Sequence, residues 1–162
     1  NGKLTIETRD GFNLHPTKPI RYLLTVKSIE FLSVTSSGSI SAPALEADHF
    51  QVKITSSGDI YLESLIAETL DVSLTSSGNL EIAAGQVESQ DIAINSSGSY
   101  TAGHLRSQEA EVDITSSGDV TLWVTDQLDV TIRSSGNVRY YGSPAVNTHI
   151  TSSGSVTHLG DK

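Results

Sequence analysis

Residues 54–62 read ITSSGDIYL. The signature returns as VTSSGSI, LTSSGNL, INSSGSY, ITSSGDV, IRSSGNV and ITSSGSV, so Ser-Ser-Gly occurs seven times. Its glycines are Gly38, Gly58, Gly78, Gly98, Gly118, Gly136 and Gly154, spaced by 20 residues four times and then by 18 twice. Four residues before them stand Val34, Ile54, Leu74, Ile94, Ile114, Ile132 and Ile150. Two residues after them stand Ile40, Ile60, Leu80, Tyr100, Val120, Val138 and Val156. Apolar residues take the even offsets and polar residues most of the odd ones, which is the period of a half-buried strand. One unit of about 20 residues cannot bury its own apolar face, whereas stacked units can. The pattern predicts an all-β fold: a single right-handed parallel β-helix, or solenoid, of about seven coils of 18–20 residues.

In this reading Ser-Ser-Gly is a corner. The glycine serves it by tolerating positive φ and by adding no Cβ against the next coil. The serine two before it keeps inward parity and is expected to stack as a column of bonded hydroxyls. Residues 31–162 form the β-helix, and residues 1–30 are expected to be irregular strands that cap it. There KLTIET alternates, RDGFN signals a turn, and Ile20, Tyr22, Leu24 and Val26 share one side.

Composition narrows the partners. The chain has 162 residues, 36% of them hydrophobic and only 18% charged, with a net charge of −9. That balance excludes nucleic acid, which needs clustered Lys and Arg. The chain has no cysteine, so disulfides and thiolate metal sites are excluded. It also has no Met, as expected of a trimmed chain whose leader was removed. No apolar run approaches the roughly 18 residues of a transmembrane segment.

Several stretches together resemble a known family. NGKLTIETRDGFN, KPIRYLLTV, the repeated Ser-Ser-Gly-[Asp/Asn/Ser] and GNVRYYGSPAV resemble the putative auto-transporter adhesin family with the head GIN domain. Tyr140, Gly142 and Pro144 match its late Tyr-x-Gly-x-Pro segment, while its Gly-Ser-Gly form departs here to Ser-Ser-Gly. The resemblance implies a β-helical fold and a secreted, periplasmic or outer-surface location in a bacterium. It also implies a further region of strands before NGKLTI, and it supplies no catalytic residues.

Two outward features are candidate sites. Seven residues before successive glycines stand Asp71, Asp91, Glu111 and Asp129; ten before stand Asp48, Glu68, Glu88 and Asp126, with Gln108 breaking the series. Equal offsets stack one coil apart, so neighbouring carboxylates repel by about 0.8 kcal/mol per pair in water. Asp71, Asp91, Glu111, Asp129, Glu68 and Glu88 are therefore either ligands for a bridging Ca²⁺ or a solvated ridge that keeps a sticky β-surface soluble. The chain lacks the Asp- and Gly-dense nonapeptide of calcium β-rolls, which counts against metal, and no other cofactor is implied. Trp123 and Tyr141 share the offset five after Gly on adjacent coils, a platform for a glycan or for a side chain of a surface protein.

Other chemistries are poorly supported. His15, His49, His104, His149 and His158 fall at different offsets, and no nucleophile has an evident base partner. A Thr column before the glycines suggests an ice-binding array, but Asn95 and Arg133 interrupt it. Nothing concave is expected. The reading is a non-catalytic binding and adhesion module, with a carbohydrate-active β-helix enzyme as the alternative. The exposed end near Val156 adds contact with a second copy as a further expectation.

Overall fold

In the computed structural model, which describes residues 2–7 and 17–162, there is no helix among the described residues. Valine, isoleucine and leucine alternate with short polar residues, and this pattern favours extended chain with one face buried. The strands are β1 (Phe31–Val34), β2 (Ser39–Ile54), β3 (Asp59–Leu74), β4 (Asn79–Ile82) and β5 (Gly85–Ile94). They continue as β6 (Ser99–Ile114), β7 (Asp119–Ile132), β8 (Asn137–Tyr141), β9 (Ala145–Ile150) and β10 (Ser155–His158). Every pairing among them is parallel, and partners in β2, β3, β5 and β6 lie 20 residues apart. The chain is a β-solenoid of about six turns. The count is one below the expected seven because seven corner glycines bound six intervals.

A 20-residue coil has three walls. Along β3 the buried side chains are Ile60 and Leu62, then Leu65 and Ala67, then Leu70, Val72 and Leu74. Inward parity slips by one residue at 63–64 and again at 68–69. Those slips are bends, and Ser-Ser-Gly makes the third corner.

Of the two expected causes for the corner glycines, positive φ and the absence of a Cβ against the next coil, only the second acts. None of the seven has positive φ; among the described residues only Gly85, Gly142 and Gly160 do. What requires glycine is the previous coil. A Cβ on Gly78 would lie 2.3 Å from the Gly58 carbonyl oxygen and 2.4 Å from Ile54 Cγ2. The same crowding recurs at Gly58, Gly98, Gly118, Gly136 and Gly154, but not at Gly38, whose nearest atom is 3.8 Å away. The expected hydroxyl column also fails to form. The serines two before Gly are half-buried in the interior coils, and Ser56 Oγ is buried without a partner. The corner ladder is carried by backbone instead: the amides of Asp119, Asn137 and Ser155 donate to the carbonyls of Gly98, Gly118 and Gly136 at 3.0–3.2 Å.

A polar ladder lies just outside the corner. The residues after the glycines read Ser39, Asp59, Asn79, Ser99, Asp119, Asn137 and Ser155. Ser99 Oγ donates to Asn79 Oδ1 (2.6 Å), and Asn79 Nδ2 donates to Asp59 Oδ1 (2.8 Å). Ser155 Oγ donates to Asn137 Oδ1 (2.7 Å), and Asn137 Nδ2 donates to Asp119 Oδ1 (2.9 Å). Each Ser→Asn→Asp triad ends on one carboxylate, so within this ladder charges never meet on adjacent coils.

The core holds one polar chain. Tyr100 OH donates to Gln90 Oε1 (2.5 Å), Gln90 Nε2 to Ser107 Oγ (2.8 Å), and Ser107 Oγ to the Trp123 carbonyl (3.1 Å). All three side chains are buried, and burial pushes the Tyr100 phenol well up. The network is closed, which offsets the cost of burying these groups.

The shift from 20- to 18-residue coils is absorbed in two steps between β6 and β7, one between Ala102 and Arg106 and one between Ser107 and Glu109. Ala102 pairs with Leu122, but the next pair is Arg106 with Trp123, so residues 103–105 have no partner on β7, although Leu105 is buried and still pairs with Gly85 on the preceding coil.

The N-terminal expectations are corrected in part. Residues 2–7 and 17–30 contain no strand, and Ile20, Tyr22, Leu24 and Val26 are all exposed. A strand needs a ladder partner, and among the described residues β1 pairs with β2 alone, leaving its other edge open. The RDGFN turn and His15 lie outside the described residues.

The crowding at the corner makes an asymmetric expectation. Gly78→Ala should destabilise the fold by about 3 kcal/mol, as overpacking against backbone does. Gly38→Ala should change stability by less than about 1 kcal/mol. Chemical denaturation of both variants beside the parent checks this.

Candidate functional site: an acidic groove and an aromatic corner

The wall after the second bend carries two outward rails. One is His49, Thr69, Ser89, Glu109 and Gln127, which pair in register from coil to coil. The other is Gln51, Asp71, Asp91, Glu111, Asp129 and Asn147, also in register. Between them the chain points inward at Gln90 and Ala110, and the rails enclose an open groove of about 520 Å³. The groove is a concavity that the sequence did not announce, because it depends on how side chains stand around a bend. Asp71, Asp91, Glu111 and Asp129 line it; Glu68 and Glu88 do not, and stand exposed at the bend beside it. Glu109 is a groove carboxylate that offset counting missed, because its rail is polar but not acidic in other coils.

The charge of the groove is largely unneutralised. Ion pairs among the described residues join Arg133 to Asp113, Arg139 to Asp119 and His158 to Asp161, and none involves a groove carboxylate. Hydrogen bonds do the screening at one end. Gln127 Nε2 and Asn147 Nδ2 donate to the two oxygens of Asp129 at 2.5 and 2.9 Å and hold its carboxyl below the usual carboxylate range. Asp129 is thereby held ionised, which is the wrong direction for a general acid. At the other end His49 Nδ1 lies 2.6 Å from Thr69 Oγ1. The Thr column is broken in the same way it is in sequence: Asn95 Oδ1 accepts from Thr115 Oγ1 (2.8 Å), and Arg133 leaves the column to pair with Asp113.

The aromatic pair sits elsewhere. Trp123 on β7 pairs in register with Tyr141 on β8, and both are half-buried. Tyr141 lies against Gly103, where the coils shorten. Lys162 reaches back to this corner, its ammonium 4.0 Å from the Tyr141 ring centre and 5.7 Å from that of Trp123.

Single-file carboxylates suit a divalent ion poorly, since Ca²⁺ gathers six to eight oxygens around one point. Among the described residues no three Asp, Glu or His side chains converge as a metal site. Millimolar Ca²⁺ should therefore leave the unfolding midpoint within about 1 °C of the chelator-treated protein. A rise beyond that would mean the ion binds the native state.

Residues 1–144 match the family described as putative auto-transporter adhesin, head GIN domain. No curated protein matches the chain. Among solved structures, a putative lipid binding protein from Parabacteroides distasonis is 27% identical, with a TM-score of 0.67 over 82% of this chain and 63% of that one. A putative adhesin from Bacteroides fragilis has a TM-score of 0.74 at 22% identity, over 81% of this chain and 61% of its own. A putative adhesin from Parabacteroides merdae has a TM-score of 0.67 at 24% identity, over 78% and 57%. This chain thus spans about three-fifths of each, and the two likenesses below 25% identity bear on the fold alone. With its parallel solenoid and its repeat in place, this chain belongs to the putative auto-transporter adhesin family with the head GIN domain.

Proposed function

We propose that the chain is a non-catalytic binding and adhesion module of the bacterial surface or periplasm, and that it holds an extended glycan along the acidic groove. The observation that carries this reading is the continuity of the groove. Its polar rails run unbroken over five rungs, from His49 to Gln127. At about 4.8 Å per rung, they follow the solenoid axis for about 19 Å. A rigid ladder of identical spacing suits a repeating ligand. Carboxylates accept from hydroxyl groups, while Ser89, Thr69 and Gln127 both donate and accept. The uncompensated negative charge favours neutral or amine-bearing glycans and repels uronates. Family membership supports the reading, because the family is named for adhesion and the 27%-identical solved structure for lipid binding, neither for an enzymatic activity.

One observation favours the enzymatic alternative. Asp71, Asp91 and Glu111 stand one coil apart, about 4.8 Å between strands, close to the roughly 5 Å carboxylate spacing of retaining glycosidases. Calorimetric titration with defined neutral, amino and uronate oligosaccharides separates the two readings. The module reading expects binding of neutral or amino chains, no binding of uronates, and a loss of at least tenfold in Asp91→Asn/Glu111→Gln. New reducing ends released during incubation would establish the enzyme instead, and absence of binding by all three classes would overturn the glycan assignment.

A further inference from the structure

The loss of pairing between residues 103–105 and β7 has a chemical consequence. A strand that leaves the ladder leaves backbone acceptors without a partner in the next coil. At this point the Gly103 residue is buried, and its carbonyl accepts a hydrogen bond from Lys162 Nζ. His104 Nδ1 lies 3.2 Å from the same ammonium, and accepts in the tautomer that carries its proton on Nε2. The faces of Tyr141 and Trp123 complete the surround. None of the ion pairs among the described residues includes Lys162. The cation is held by a carbonyl, an imidazole and two aromatic rings, which is how a site recognises an ammonium group rather than a mere positive charge.

The segment that delivers the lysine is tethered. Gly142 N donates to the Gly160 carbonyl (3.0 Å), Leu159 N to the Tyr140 carbonyl (2.7 Å), and Ser143 Oγ to Asp161 Oδ1 (2.6 Å). Lys162 is thus the resident occupant of a cage whose other parts belong to three separate coils.

We propose that Gly103, His104, Trp123 and Tyr141 form a binding site for a primary alkylammonium group, the chemistry of a lysine side chain, which Lys162 fills from within. An added amine must compete with a tethered ammonium whose local concentration is on the order of millimolar. Removing the tether opens the site to ligands in solution. This cage is separate from the acidic groove and stands or falls independently of it.

Trp123 is the only tryptophan of the chain, so its fluorescence reads this corner alone. The test titrates n-butylammonium, tetramethylammonium and n-butanol into the parent, Lys162→Ala and Lys162→Ala/Tyr141→Ala at matched ionic strength. The expected result is a saturable change with n-butylammonium in Lys162→Ala, at a half-saturation at least about threefold lower than in the parent. Tetramethylammonium, which cannot donate to the Gly103 carbonyl, should bind at least threefold more weakly. The response should vanish in the double variant and be absent with butanol. Equal responses in parent and Lys162→Ala, equal responses to the amine and butanol, or no response in Lys162→Ala would overturn the proposal. In the last case Lys162 would be only a latch, seen as a lower midpoint of unfolding without any amine dependence.

Discussion

The structure depends on how closely one coil can approach the next at its corner. Parallel stacking fixes the strand spacing along the walls, but a turning chain tends to bulge and hold its neighbours apart. Here the bulge is avoided by having no side-chain carbon where Gly78 meets the Gly58 carbonyl and Ile54. With the corner closed, glycine carbonyls accept amides from the next coil and the ladder runs on around the turn. The Ser→Asn→Asp triads then tie the outer rim of the same corner. Wall pairing, corner pairing and rim hydrogen bonds share one register, so each supports the others.

Register also organises the surface. Because partners are 20 and then 18 residues apart, any residue type repeated at one offset becomes a line on the outside. Asp71, Asp91, Glu111 and Asp129 become a rail, and a polar column two residues away becomes the opposite one. Where the period changes, the rails keep their register, but the stretch before them loses its partners and something else appears. Residues 103–105, unpaired on the β7 side, leave a carbonyl for Lys162 beside Trp123 and Tyr141. A regular repeat thus makes an extended face, and an irregularity in it makes a compact site.

Much of this was legible in the residues. The Ser-Ser-Gly spacing revealed the parallel solenoid, and the even-offset Ile and Val revealed much of its core. Equal offsets placed the acidic column and set Trp123 beside Tyr141. What stayed hidden depends on geometry that offsets do not carry. Leu65 and Ala67 have the opposite parity to Ile60 and Leu62, so the middle wall is invisible to a count made from the glycine. Gln90 looked like one more polar residue, although it sits where Phe50 and Leu70 do and takes both Tyr100 and Ser107 as partners. The Ser, Asn and Asp after each glycine looked interchangeable until their order proved directional. The alternation in residues 3–7 and around Tyr22 reads as strand, but alternation sets a face and not a partner, and neither segment pairs with the open edge of β1.

Native-state hydrogen exchange at the corners tests the central claim most directly. If coil-to-coil contact at the glycines governs the fold, the amides of Thr75, Asn95, Thr115, Asp119 and Asn137 are held in the ladder. They should then exchange as slowly as those of the wall residues Val72 and Val112, through the same global opening. Corner amides that exchange orders of magnitude faster than the walls would show that the corners are loose connections. The walls alone would then hold the solenoid together, contradicting the account.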